Sequence, residues 1–213
     1  MDGLNFSFFK GKRGLNIDIT HRCALECLRC SRQREFRNHG LKVPGEDISM
    51  KDFKTLARFY ENISFCGQLS DPVHHPKFIE MLKYLYENNV IAEVHNASSL
   101  KSKSWYIKAF QANPDACWIF GIDGLPEQSH IYRVNQDGPK LYDIMLEAKK
   151  YVKKVMWQYI IFNYNEHNLD EAKRMAIRDG IKFIELHSSR WMADDDPLRP
   201  SKEFSMKWKP YER

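Results

Sequence analysis

The chain has 213 residues, 43% hydrophobic and 29% charged, and its 33 Lys and Arg against 28 Asp and Glu give a net charge of +5. That length can bury a sizeable core within one domain, and no apolar run approaches the ~20 residues needed to span a bilayer, so no membrane partner is expected. The mild positive charge favours phosphorylated or nucleic-acid partners only weakly.

Met1 to Gly14 holds the cluster Phe6, Phe8 and Phe9 ahead of Lys10, Lys12 and Arg13, too short for a signal-peptide core and without a cleavage pattern. Five cysteines, three of them in one loop, do not look like a disulfide framework and fit a reducing compartment; a cytoplasmic location is expected. Leu15 to Thr20 alternates as a strand does, so Cys23, Cys27 and Cys30 hang on a loop at its carboxyl end. Three thiolates within eight residues point to a soft or borderline metal. Structural zinc takes four protein ligands, whereas a four-iron cluster held by three cysteines leaves one iron open to an exogenous ligand. Ser31 to Arg37 reads as a loop carrying Arg32, Arg34 and Arg37, with Arg29 inside the motif; these cations either meet a carboxylate or phosphate or are simply solvated.

Ser49 caps a helix with Asp52 at the capping-box position and Phe53, Leu56, Ala57 and Tyr60 on one face. Ile63 to Cys66 is a short strand entering the turn Gly67-Gln-Leu-Ser-Asp-Pro72. His74, His75 and Pro76 open the next helix, whose stripe Phe78, Met81, Leu82 and Leu85 is core; the two histidines read as surface residues. Val90 to Val94 leads to His95-Asn-Ala-Ser98, where Asn96 is either a ligand contact or an Asx turn. A helix through Trp105, Ile107 and Phe110 precedes the strand Ala116 to Ile122, the turn Gly121-Ile-Asp-Gly-Leu125 and the segment Ser129-His-Ile-Tyr-Arg133. Leu141, Ile144, Met145, Ala148 and Val152 form another helical stripe. Met156 to Phe162 is the fifth strand, Leu169 to Asp179 a helix closed by Gly180, and Ile181 to Leu186 the sixth strand. Cys66 and Cys117 read as small buried apolar residues rather than hydrogen donors. Six strands alternating with helices predict a single α/β domain with a parallel sheet and right-handed crossovers over residues 1–190, followed by a tail or lid over 191–213 that carries Trp191, Phe204, Trp208 and Tyr211.

The Cys-x3-Cys-x2-Cys loop after a first strand resembles the cluster loop of the radical S-adenosylmethionine (SAM) enzymes. The resemblance implies a partial (β/α)6 TIM barrel, a 4Fe-4S cluster on Cys23, Cys27 and Cys30, and SAM as ligand of the open iron. The reduced cluster would then cleave SAM to a 5′-deoxyadenosyl radical that takes hydrogen from a peptide, sugar or nucleotide substrate. It further implies that Gln68, Ser70 and Asp71 in the turn after the second strand, Asn96 after the third, and Asp123 and Arg133 after the fourth contact SAM. Ile-Asp-Gly-Leu followed by His-x-x-Tyr-Arg is similar to the branch of peptide maturases and molybdopterin-type enzymes, but no cysteine follows Arg190 to hold auxiliary clusters. Leu69, Ser70 and Ala97 stand where glycines are usual, and Gly121 where serine is frequent. Arg29 replaces an aromatic residue expected against the adenine and can stack there instead. An external electron donor of flavodoxin or ferredoxin type and a substrate or partner protein are implied; no catalytic side chain is singled out. The competing expectation is a metal-stabilised binding module without radical chemistry.

Overall fold

The computed structural model describes residues 13–43, 45–188 and 195–204. Six strands, β1 (Gly14–Ile17), β2 (Asn62–Phe65), β3 (Ile91–Asn96), β4 (Cys117–Gly121), β5 (Lys154–Ile160) and β6 (Lys182–Leu186), form one sheet in sequence order. Every neighbouring pair is parallel. The helices are α1 (Ser31–His39), α2 (Met50–Ala57), α3 (Phe78–Glu87), α4 (Lys103–Ala112), α5 (Gly138–Ala148) and α6 (Leu169–Arg178). This is the expected partial (β/α)6 barrel, with sheet order equal to chain order because each connection carries a helix back along one face.

Residue parity in the strands divides two environments. Ile63 and Phe65 of β2, Ala92 and Val94 of β3, Trp118 and Phe120 of β4, and Trp157 and Tyr159 of β5 all enter the main core beneath the helices. Trp118 anchors it, with Phe78, Tyr106 and Phe110 edge-on at 6.2, 6.2 and 4.8 Å between ring centroids. The other parity is largely polar: Ser64 donates to Glu93 at 3.2 Å, and His95 Nε2 lies 2.8 Å from the same carboxylate. Among the described residues, only Cys117, Ile119 and Met156, with Ile184 against them, make a small apolar cluster apart from the main core. The concave side is therefore a lined cavity and not a second core.

Local expectations hold in several places. Ser49 caps α2 by accepting from the Asp52 N–H, and the α3 stripe is buried as read. Gly180, at φ 61°, ends α6 in the left-handed region. Two expectations are overturned. Ser31–Arg37 is not a loop but most of α1, which buries none of its residues; it lacks the apolar period that marks helices in sequence, while its Arg, Gln and Glu favour helix intrinsically. His74 and His75 are not surface residues, because the turn Pro72–His74 directs both inward. His75 is 2% exposed, with Nε2 3.0 Å from the Ile48 carbonyl and Nδ1 accepting from the Lys77 N–H.

The turn 126–131, which leads to Arg133, is fixed by its contact with α5. A Cβ on Gly138 would stand 2.0 Å from the Pro126 carbonyl oxygen. Gly138→Ala is expected to lower stability by about 1–3 kcal/mol through this backbone overlap. A urea midpoint equal to that of the parent would show that the turn gives way freely.

Candidate cofactor site

Beyond the carboxyl ends of β1 to β4 lies a cavity of about 180 Å³. Cys23, Cys27 and Cys30 line it together with Gln68, Ser70, Asp71, Asn96 and Arg133. Segments far apart in sequence thus meet as the barrel topology requires. The cysteine loop is held by backbone bonds from Glu26 to Val134 and from Leu28 to Tyr132, and by the Arg32 guanidinium on the Leu25 carbonyl. Ala24 N–H points to His74 Nε2, which also meets the Ser98 hydroxyl at 3.1 Å.

All three thiols are free of disulfides. Burial, with Asp71 nearby, pushes Cys23 up to about 12, and burial raises Cys27 as well. Such thiols ionise readily only when a bound cation displaces their protons, so the donor set suits a thiophilic cluster. Among the described residues no three His, Cys, Asp or Glu side chains converge on a single ion-sized point.

Asp71 is 3% exposed and works mainly as a brace. One carboxylate oxygen accepts from Ala97 and Ser98 N–H at 2.8 and 2.9 Å, and the other from Val73 N–H at 3.2 Å. Burial raises its pKa to about 6 against these bonds. Ser70 donates to Asp18 at 2.6 Å, and Asp18 also receives the Leu69 N–H at 3.4 Å, a support not recognised in the sequence. Gly67 (φ 57°) is needed in this turn, since a Cβ would lie 3.0 Å from the Ser70 carbonyl. Asn96 makes the Asx turn: its Oδ1 accepts from Ser98 N–H and from Tyr106, while its buried Nδ2 has no partner among the described residues.

Asp123 does not line the cavity. It is fully buried, accepts from Ile160 N–H at 2.8 Å, and stands 2.7 Å from Arg133 Nε at an angle that makes an ion pair without a hydrogen bond. Burial alone would lower the Arg133 pKa, but Asp123 and Cys27 outweigh it and hold it raised. The guanidinium lies against Gly121, where a Cβ would come within 2.7 Å of Nη2. A serine at this position would therefore compete for the space that Arg133 occupies.

Arg29 pairs with Asp196 at 2.7 Å and lines a larger neighbouring cavity. Cys66 is not core: it is half-buried and lines the same cavity as the three cysteines, as do Ile119 and Gln158. Strand parity could have placed all three there. Cys117 is buried as expected. Of the tail, 195–204 lies along the loops after β5 and β6, with Asn163 N–H on the Leu198 carbonyl and Ser201 N–H on Glu166. Trp191, Trp208 and Tyr211 lie outside the described residues.

No protein-family profile matches the sequence, and no curated protein does. Among solved structures, the chain is similar to native anSMEcpe with bound AdoMet, at TM-score 0.64 and 14% identity over 91% of this chain and 56% of that one. Streptococcus suis SuiB matches at TM-score 0.66 and 14% identity, over 93% of this chain and 42% of that one. TYW1 with a lysine-pyruvate adduct bound matches at 0.61 and 12%, over 92% and 73%. The chain thus spans about half the length of the first two. At such identities the likeness speaks for the fold alone, a partial (β/α)6 barrel.

His74 gives the site a pH dependence. Burial, then Lys101, Arg32 and Arg22, lower it from 6.5 to about 4. Between these values the unfolded chain takes up a proton that the folded one refuses, so this contribution to stability is lost as pH falls from 6.5 toward 4. Asp71, raised, acts in the opposite sense, so the comparison must be with a variant. His74→Gln should show a smaller drop in urea midpoint between pH 7 and pH 4.5 than the parent; an equal drop would remove His74 from this account.

Proposed function

We propose that the chain is a radical SAM enzyme, with Cys23, Cys27 and Cys30 holding a 4Fe-4S cluster. The observation that carries this reading is that three free thiols in a Cys-x3-Cys-x2-Cys loop open into one cavity with the turns after β2 and β3 and with Arg133. When bound, cluster and SAM supply reductive cleavage to a 5′-deoxyadenosyl radical able to take hydrogen from a substrate.

The chain's own residues bind and orient. Arg133, and the unpartnered Nδ2 of Asn96, offer donors to the SAM carboxylate. Gln68 and the backbone from Gly67 to Ser70 form the wall that receives the amino group, and Asp71 fixes that wall while keeping a carboxylate lone pair near it. Asp123 acts through Arg133 as a positioning residue. Arg29, on the wall of the neighbouring cavity, lies against the adenine. The tail segment 195–204, lying along the loops after β5 and β6, shields the mouth from water and stray hydrogen donors; the rest of the expected tail or lid lies outside the described residues. An external flavodoxin- or ferredoxin-type donor supplies the electron, which together with the free thiols suits a reducing compartment such as the cytoplasm. SuiB has been solved with its precursor peptide SuiA, which makes a peptide one substrate class beside sugars and nucleotides. Asp123 and Arg133 support placement near the peptide-maturase and molybdopterin-type branch.

Anaerobic reconstitution should give a brown protein with about four irons that cleaves SAM under reduction. Cys27→Ala should lose the cluster, and a colourless zinc protein would favour the metal-stabilised module. In the reconstituted protein, Gly121→Ser should displace the Arg133 guanidinium and weaken SAM binding about tenfold, equivalent to ~1.4 kcal/mol, with iron content unchanged. Parent-like SAM affinity in Gly121→Ser would remove Arg133 from the ligand contacts.

A further inference from the structure

The thiols and the turns after β2 and β3 make one part of the wall of the cofactor cavity, and the strands themselves make another. There His95 of β3, Ile119 of β4 and Gln158 of β5 line it, with Cys66 directly after β2. His95 is in register with Ile119, and Gln158 with Gly121, so these residues form a row across the concave face. The proposed cluster and SAM contacts use none of the four.

Beside this row stands a carboxylate that packing does not explain. Glu93 is 4% exposed, and among the described residues no Lys or Arg pairs with it. Its Oε1 accepts from the Ser64 hydroxyl on the neighbouring strand at 3.2 Å and meets His95 Nε2 at 2.8 Å. A buried carboxylate without a cation is costly, and an apolar residue would fill the same strand position without that cost. What the carboxylate does achieve is to fix the His95 ring. Facing an acceptor, Nε2 carries the ring proton, which leaves Nδ1 of the neutral imidazole as a bare acceptor. The His95 side chain is 24% exposed, lines the cavity, and has no partner at Nδ1 among the described residues. The carboxamide of Gln158 has none there either.

We infer that the Glu93–His95 pair seats the substrate, and that the substrate brings a hydroxyl or amino group to His95 Nδ1, on the carbon that gives up its hydrogen. Gln158 offers a donor and an acceptor to a further polar group of the same molecule. An anionic head group has no hydrogen to give to Nδ1 and would approach the Glu93 carboxylate behind it. His95 is thus a binding residue, and Glu93 a positioning residue that acts through it. Naming the bound molecule as substrate rests on the radical SAM reading; the acceptor site itself does not.

Isopropanol, isopropylamine and isobutyrate share a branched carbon bearing one hydrogen and differ in the head group beside it. The full chain with nitrogen-15 in its histidine rings, cluster-free and cluster-reconstituted, is titrated with each by NMR; His95 is recognised among the eight histidines as the signal lost in His95→Leu. Nε2 should carry the proton, and the bare Nδ1 should shift with isopropanol and isopropylamine at concentrations about tenfold below those isobutyrate requires, the scale of one hydrogen bond. In Glu93→Met, which removes the acceptor and keeps the bulk, the ring proton should divide between the two nitrogens. For the reaction, each probe deuterated at the branched carbon is added to the reconstituted protein with SAM and dithionite, and the labelled fraction of the 5′-deoxyadenosine is read, so that differences in total cleavage cancel. The alcohol and the amine should label it about tenfold more than isobutyrate, and His95→Leu should erase that preference. A protonated Nδ1, an equal response to the three probes, an unchanged tautomer in Glu93→Met or a parent-like preference in His95→Leu would each overturn the proposal. Probes that shift His95 in a protein that cleaves no SAM would uphold the acceptor site and overturn the radical SAM reading.

Discussion

Asp71 accepts three backbone N–H bonds while buried, and its own N–H donates to the Arg22 carbonyl at the start of the cysteine loop. One residue therefore joins the loop after β1, through its backbone N–H, to the turns after β2 and β3, through its carboxylate. Burying a carboxylate is costly unless its lone pairs are satisfied, and here the groups that satisfy it are the walls of the cavity. Removing the acid would leave buried donors without acceptors, so the brace and the site cannot be separated. The same demand explains why so few side chains at this mouth are free to meet a ligand.

On the far wall a comparable constraint governs Arg133. Its charge is tolerated because Asp123 stands beside it, and Asp123 is held in turn by Ile160 N–H on β5. Gly121 leaves the space that the guanidinium fills. The glycine in place of serine is thus tied to the arginine geometrically: one position gives up a side chain so that the other can lie flat against the strand. Ser129, which accepts from the Asp123 N–H, extends this fixed network into the turn before Arg133.

The cysteine loop separates two chemically different spaces. Its thiols face a small polar cavity, while Leu28 and Arg29 face a larger one with an apolar wall and a basic helix. The Arg29–Asp196 pair ties the loop to the segment 195–204, which also lies along the connections after β5 and β6. Loop and segment are therefore linked at the edge of the barrel beyond β5 and β6.

Alternation and spacing in the sequence were enough to determine the six parallel units, the helical stripes such as Phe78, Met81, Leu82 and Leu85, and the cysteine loop at a strand end, since these depend on local period and on the few topologies that parallel strands permit. The grouping of Gln68, Ser70, Asp71, Asn96 and Arg133 with the cysteines was also legible, through the resemblance to radical SAM enzymes and the turns that follow their strands. Other features depended on distant partners. That Asp71 braces rather than simply presents its charge follows from backbone donors 26 and 27 residues away. That Arg29 faces the larger cavity follows from Asp196, 167 residues on. That α1 is a helix at all escaped the apolar period because it buries nothing, and the inward histidines escaped because only the turn before α3 decides where they point. Local periodicity fixes elements, whereas the direction of a polar side chain is set by whichever distant group satisfies it, and that pairing exists only once the barrel has closed around it.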